Sequence, residues 1–367
     1  MIISNRITSC ERSLIRKIRE DVGDLKIDFN LGLGIPDFPV HPVLREKIIE
    51  NIKKGHTTYA PNQGDRGLLD ALANYYNVES NEVIVTIGAA QALFASMFAT
   101  LEKGDNVVIL CPAYPAYSHV AKLLGVNSRF VGLINGKVDI ESLRKQAHGA
   151  KMIIACSPNN PNGKVLSKEE VKAIADIAKD NNAILLADEC YETLSFNEHI
   201  SFLGQYENVI KVSSASKMFS ATGIRIGWVI AQRSFIEQMV KVQNFTVSGA
   251  PLAEQKAVAY CINERIKYND MHKAFTQRAS RASRLLTEKG ISHVRPEGAF
   301  YIFPKINTGS YDFCLNLAKK RGILTIPGAG FDLGEGHLRI SLAISESNIE
   351  KGIEIILEEL NKENQGE

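Results

Sequence analysis

Seven short β-rich runs separated by helical patterns fill the middle of the chain, and this alternation restricts the fold to a mostly parallel sheet covered by helices. The runs are 83–86, 107–110, 128–131, 152–156, 184–187, 209–212 and 228–230. Ser167-x-x-Glu170 is a capping box, which predicts a helix to about Lys179 before Asp180-Asn181-Asn182 stops it. Beyond about Ala274 the texture changes. A long basic helix is followed by an expected strand at 299–303, a helix near 311–320, and strands at 323–326 and 337–342. A second capping box, Ser347-x-x-Glu350, predicts a last helix to about Leu360 and a frayed polar tail over 361–367.

The expected architecture is therefore α/β: a large domain with a seven-stranded, mostly parallel sheet between helices, and a smaller α+β domain. Residues 1–42, an N-terminal helix and irregular segment, contribute to the small domain; residues 43–274 form the large cofactor-binding domain; residues 275–367 form the small C-terminal domain. The Pro- and Gly-rich stretch 32–42 cannot continue a helix and joins the N-terminal helix to the large domain.

Composition narrows the partners. Charged residues make up 23%, the net charge is +2, and basic and acidic residues are interleaved, so there is no basic face for nucleic acid or anionic lipid. Small molecules are the expected partners. The six cysteines show no C-x-x-C pair and no His at metal spacing, so no metal site is expected and free thiols in a reducing cytoplasm are. Met1 to Cys10 lacks the pattern of a signal peptide, and the apolar stretch 89–101 is too short for a membrane span.

Polar residues cluster where the strands are expected to end, the edge at which open α/β sheets bind ligands. Ile87-Gly88-Ala89-Ala90-Gln91 opens an apolar helix, and exposed N–H groups there suit a phosphate, although close packing accounts equally for such small residues. Asp188 stands at a strand end with Tyr191 three residues on; it either caps a loop or keeps a pyridine nitrogen protonated. The segment from Ser157 to Gly163 reads, taken alone, as a Pro- and Asn-rich turn. The segment 214–227 differs in kind, because it combines hydroxyls, Lys217 and Arg225 across a glycine-containing loop, a set that suits a phosphate monoester beside an amine. Burial or nearby positive charge lowers a lysine's pKa and lets it form a Schiff base.

Ser214-Ala215-Ser216-Lys217-Met218-Phe219-Ser220-Ala221-Thr222-Gly223-Ile224-Arg225-Ile226-Gly227 resembles the lysine-attachment motif of the class I and II aminotransferases, fold-type-I pyridoxal-phosphate enzymes. The resemblance extends in family order through Gly34-Ile35-Pro36-Asp37-Phe38, Tyr59-Ala60-Pro61, Gly88 to Gln91, Pro112-Ala113-Tyr114-Pro115, Asn160-Pro161-Asn162-Gly163, Asp188-Glu189-Cys190-Tyr191, Pro296 to Tyr301 and Leu338-Arg339-Ile340-Ser341.

What the resemblance implies is specific. Lys217 forms the internal aldimine with pyridoxal 5′-phosphate and moves the proton of the substrate, and Asp188 pairs with the pyridinium nitrogen. Tyr191 and Asn160 bond the phenolic oxygen, and Tyr114 stacks on the ring. The amides of Ala89 and Ala90, with Ser214, Arg225 and in a lesser part Ser216, hold the phosphate, which Tyr59 reaches from the other subunit of a homodimer. Arg339 binds the substrate α-carboxylate as a planar fork and Gly34 closes on it; the competing reading of Arg339 is a surface charge in an edge strand. Asn162 stands where the family often has Thr. Ala90 stands where some aspartate-using relatives carry a lysine, which weakens the case for an acidic donor. The implied activity is transfer of an amino group from an L-amino acid to a 2-oxo acid. A lyase, decarboxylase or oxidase of the same fold is the alternative, and a non-catalytic binding protein a further one.

Overall fold

The computed structural model describes residues 3–8 and 10–365. Its centre is a seven-stranded sheet made of β1 (Val83–Ile87), β2 (Asn106–Leu110), β3 (Asn127–Val131), β4 (Met152–Cys156), β5 (Ile184–Asp188), β6 (Val209–Ser214) and β7 (Ile226–Ile230). Across the sheet the order is β1-β7-β6-β5-β4-β2-β3. Six strands run parallel and β7 runs against both of its neighbours. Every residue of β4, β5, β6 and β7 is buried, so both faces of the sheet are covered at these strands, including the polar Asp188, Lys211, Ser213 and Ser214.

Three helices shape the ligand-binding edge of this sheet. Helix α1 (Leu14–Val22) presses Ile18 and Val22 into the core. Helix α2 (Gly88–Thr100) starts directly where β1 ends and buries Ala92, Leu93, Ala95, Ser96 and Met97, leaving Phe98 half exposed. Helix α3 (Ala116–Leu124) follows β2 and buries Tyr117. The helix at Lys168–Asp180 carries the expected capping box: Ser167 Oγ accepts from Glu170 N at 3.2 Å and Ser167 N donates to Glu170 Oε2 at 3.0 Å. Among the described residues no helix is long and apolar enough to cross a membrane.

The chain's two ends meet. Phe29–Asn30 pairs in parallel with Ile323–Leu324, and α1 packs on the helix at Ser310–Arg321. A three-stranded antiparallel sheet is built from Tyr301–Ile302, Leu338–Ser341 and Ile326–Pro327, with Leu338–Ser341 in the middle.

The structure corrects several expected boundaries. The strand expected over 299–303 is only Tyr301–Ile302, because Ala299 takes a left-handed φ of 57° and turns its N–H to Leu194 O. The single strand expected at 323–326 is two short ladders that pair with different partners. The last helix starts at Glu346, not behind a Ser347 cap: Ser345 O takes the amides of Asn348 and Ile349, while Glu350 pairs with Arg281 instead of reaching back. That helix continues to Gln365, held by Arg321 against Glu358 and Glu359, so 361–365 is not a frayed tail; 366 and 367 lie outside the described residues.

Candidate active site

The carboxyl ends of β1, β4, β5 and β6 open on one cavity of about 510 Å³. Gly34, Ala89, Ala90, Tyr114, Asn160, Asp188, Tyr191, Ser214, Ser216, Lys217, Arg225 and Arg339 all line it. Tyr59 does not. It stands 93% exposed, away from the cavity of its own chain.

Lys217 sits on the helical turn Ala215–Met218 that continues from β6. Its Nζ donates to Gly34 O at 2.6 Å, from the irregular segment after the N-terminal helix. Burial lowers its pKa to about 8, and the positive charges of Arg339 and Arg225 push in the same direction. An amine so placed is a nucleophile and a base near neutral pH.

Asp188 ends β5 and is 6% exposed. Tyr117 Oη donates to its Oδ2 at 2.7 Å and Cys190 N to its Oδ1 at 3.2 Å. Burial raises its pKa, and among the described residues no cation pairs with it. A buried carboxylate facing a cavity without a counter-charge is a site for a cationic nitrogen.

Beside the start of α2 the backbone is packed too tightly for side chains. A Cβ on Gly88 would lie 2.4 Å from Arg225 Nη2, and one on Gly227 would lie 2.7 Å from Ala89 N. Arg225 is thereby held against the helix end, with Nη1 donating to Thr222 O at 2.8 Å and Nη2 to Ile87 O at 3.3 Å. Helix N–H groups without intrahelical partners, next to a guanidinium that has no carboxylate partner among the described residues, make a cradle for a phosphate.

Arg339 lies on the central strand of the small sheet and is 3% exposed, which corrects the edge-strand, surface-charge alternative. Its Nη1 donates to Asn160 Oδ1 at 3.1 Å and its Nη2 to Gly32 O at 3.0 Å, and the ring of Tyr301 lies 4.5 Å from its Cζ. Nε is buried without a partner. A buried guanidinium satisfied by neutral groups alone still calls for an anion. Tyr191 and Tyr301 share a hydrogen bond at 3.1 Å between their hydroxyls. In the loop after β4, Asn162 accepts from Asn159 Nδ2 and Lys164 N, both at 3.0 Å, so the residue that departs from the family's Thr holds the loop that presents Asn160.

Arg16, Arg19, Tyr117 and Tyr301 also line the cavity, and no role for them is readable from the sequence. Tyr301 closes the family-like run from Pro296, but the two arginines look like exposed residues of a charged helix. Beneath the site Glu189, Glu192 and His199 have ligand atoms within 4.8 Å of one another, a metal-like spacing. Lys211 Nζ sits among them instead, 2.5 Å from Glu189 Oε2 and 2.7 Å from Glu192 Oε2, so the cluster is a buried ion-pair core.

A family model described as aminotransferase class I and II matches residues 26–356. The aspartate aminotransferase of Pyrococcus horikoshii is 33% identical over 95% of this chain and 94% of its own length. The aromatic-amino-acid aminotransferase 2 of Thermococcus litoralis is 29% identical over 96% of this chain and 97% of its own. Among solved structures, the aspartate aminotransferase from Thermus thermophilus with maleate superposes with a TM-score of 0.92 at 28% identity, over 98% of this chain and 100% of that one.

Proposed function

The chain belongs to the class I and II aminotransferase family, and from that premise we propose which of its residues perform the transfer of an amino group from an L-amino acid to a 2-oxo acid. The family implies pyridoxal 5′-phosphate, which when bound supplies an aldehyde for an amine and a ring that accepts electrons. The residues of the cavity fit that group: a phosphate cradle at α2, a buried carboxylate without a cation at β5, and an amine between them.

In this reading Arg225, Ser214, Ser216 and the amides of Ala89 and Ala90 hold the phosphate. Asp188 keeps a proton on the ring nitrogen, Tyr114 lies against the ring face, and Tyr191 and Asn160 bond its phenolic oxygen. Arg339 takes the substrate α-carboxylate with its remaining donors, and Gly34 closes over it. Lys217 Nζ removes the proton from the substrate α-carbon and holds it for return. Its lowered pKa supports this, because a fraction of the amine is already neutral near pH 7. Tyr59, 93% exposed, reaches the phosphate of a second copy in a homodimer. A cytoplasmic location and the division at residues 42 and 274 complete the proposal.

The observation that carries the reading is the convergence of Lys217, Asp188 and Arg339, from three separate elements, on one cavity. It is tested by adding single amino acids to the purified yellow protein. Bleaching that a 2-oxo acid reverses is the expected result. Release of ammonia or carbon dioxide without that exchange would overturn it. Borohydride reduction followed by peptide mapping should mark Lys217, and a Lys217→Ala protein that still retains label would remove that residue from its role.

A further inference from the structure

Behind the two loops that present Tyr114 and Asn160 lies a second cavity, of about 780 Å³. Cys111, Pro112 and Asn162, from the loops after β2 and β4, form the wall on the active-site side. The turn Asn135-Gly136 and the chain that flanks the small antiparallel sheet, where Lys305 bridges to His337, enclose the rest. A volume of several hundred Å³ suits a small molecule.

The fixed charges of this cavity have one sign. Arg295 and Lys305 line it, and among the described residues no Asp or Glu does. Asp332 faces Ser118 and His119 and lines a different cavity, and Ser310 engages both carboxylate oxygens of Glu335. The side chains of Arg295 and Lys305 have no hydrogen bond or ion pair among the described residues. His337 stacks on Phe303 at 5.0 Å and uses Nδ1 on Glu335 O at 3.1 Å, which leaves Nε2 open. His293 only shapes the wall, because Ser283 Oγ and Ile291 O occupy both of its nitrogens. A cleft with apolar walls and charges of one sign focuses its field and concentrates the opposite ion.

The wall toward the active site holds an unmet donor. Asn162 is 1% exposed, and its Oδ1 accepts from both Asn159 Nδ2 and Lys164 N, which fixes the orientation of the amide. Nδ2 is left buried without a partner. A buried donor without an acceptor is costly, and a neighbouring anion offsets that cost. Asn159 Nδ2 also donates to Pro112 O at 2.9 Å, so one amide ties the loop of Tyr114 to the loop of Asn160, which in turn meets Arg339.

We propose that this cavity is a second, regulatory site for a small polyanion, a phosphate ester or a polycarboxylate, held by Arg295 and Lys305 and coupled to the active site through Asn162. A ligand there joins the flank of the small sheet to the loops that carry Tyr114 and Asn160, and so favours the arrangement in which Asn160 meets Arg339. By linkage, an amino acid bound at Arg339 tightens the anion by the same factor. Binding of the anion is independent of the proposed transfer; its effect on KM rests on the assignment of Arg339.

The test titrates pyrophosphate, citrate and acetate into the cofactor-loaded enzyme by calorimetry. Pyrophosphate or citrate should bind at least roughly tenfold more tightly than acetate, and which of them does so identifies the anion as a phosphate or a polycarboxylate. Arg295→Gln and Lys305→Gln, at exposed residues, should each weaken binding about tenfold, the value of one hydrogen bond to a charged group, with the thermal midpoint unchanged. Salt should weaken binding further. With the anion bound, KM for the amino donor should fall roughly five- to tenfold, and in Arg295→Gln that fall should be lost. Binding no tighter than that of acetate overturns the site. So does binding that survives Arg295→Gln and Lys305→Gln but is lost in Arg225→Gln or Arg339→Gln, since it places the anion in the active site. Binding that leaves KM unchanged overturns the coupling through Asn162.

Discussion

The hydroxyl of Tyr117 donates to Asp188 Oδ2 at 2.7 Å, so the carboxylate that faces the cavity is oriented from behind by a phenol of helix α3. Burial raises the pKa of Asp188, and this bond works against the rise by favouring the ionised form. Tyr117→Phe should therefore make the carboxylate harder to keep charged. A fall in kcat of roughly ten- to a hundredfold, the value of one hydrogen bond to a charged group, is expected, with KM for the amino donor nearly unchanged. A larger effect on KM than on kcat would show that Tyr117 acts elsewhere.

Asp188→Asn removes the charge altogether while keeping the shape. If a ring nitrogen is paired here, breaking a buried ion pair of about 3–5 kcal/mol should lower kcat by roughly two to four orders of magnitude. Steady-state kinetics checks this, and full activity would exclude the pairing.

Lys217 offers a pH test. Its pKa is lowered to about 8, so in the cofactor-free protein the neutral amine is half populated near that pH, against about 10.4 for an ordinary lysine. Acylation of Lys217 by a small reagent, read out by mass spectrometry, should rise with a midpoint near 8. Stability responds with the same sign. The folded protein disfavours the charged amine, so Lys217 costs stability at pH below about 8, and the cost fades as the pH rises to the unfolded value. Lys217→Met should accordingly raise the thermal midpoint of the cofactor-free protein at pH 7.

Gly88→Ala would place a methyl 2.4 Å from Arg225 Nη2, at a residue whose φ is 69°. The guanidinium must move off the helix end. We expect the cofactor dissociation constant to rise by tenfold or more, measured by equilibrium dialysis, with a stability loss of about 1–2 kcal/mol from the backbone strain.

Under the site, Lys211→Met leaves Glu189 and Glu192 without their shared cation. Burial alone would push the carboxyl of Glu189 up, and Lys211 with His199 holds it down. Removing one partner of a buried pair costs about 3–5 kcal/mol, which a urea titration would detect. Because Glu189 adjoins Asp188 in the chain, kcat should fall as well.

The parallel sheet is legible in the sequence because its strands are short apolar runs, but the runs stop before the strands do. Asp188 and Ser214 are polar and point to the cavity, yet their backbones still pair with Cys156 and Gly227. Polar side chains at a strand's carboxyl end mark the site and hide the ladder. The C-terminal strands were harder, since ladders of two residues carry no period and the left-handed Ala299 gives no signal in a residue that is not glycine. Lys217, Asp188 and Arg339 stood in recognisable motifs. Arg16 and Arg19 did not: a charged residue on an exposed helix has the same local pattern whether it meets solvent or a cavity, and only the cavity they line and the contact of Arg19 with Gly32 distinguish them.

The pairing of Phe29 with Ile323 ties together two segments made at very different times. All seven strands of the central sheet lie between residues 83 and 230, whereas the segment carrying Arg19, Gly32 and Gly34 pairs with a partner synthesised roughly 15–60 s after it at about 5–20 residues per second. The contact between Lys217 Nζ and Gly34 O therefore joins a segment ahead of the central sheet to the sheet's own edge, and it depends on a ladder whose two strands lie far apart in the chain.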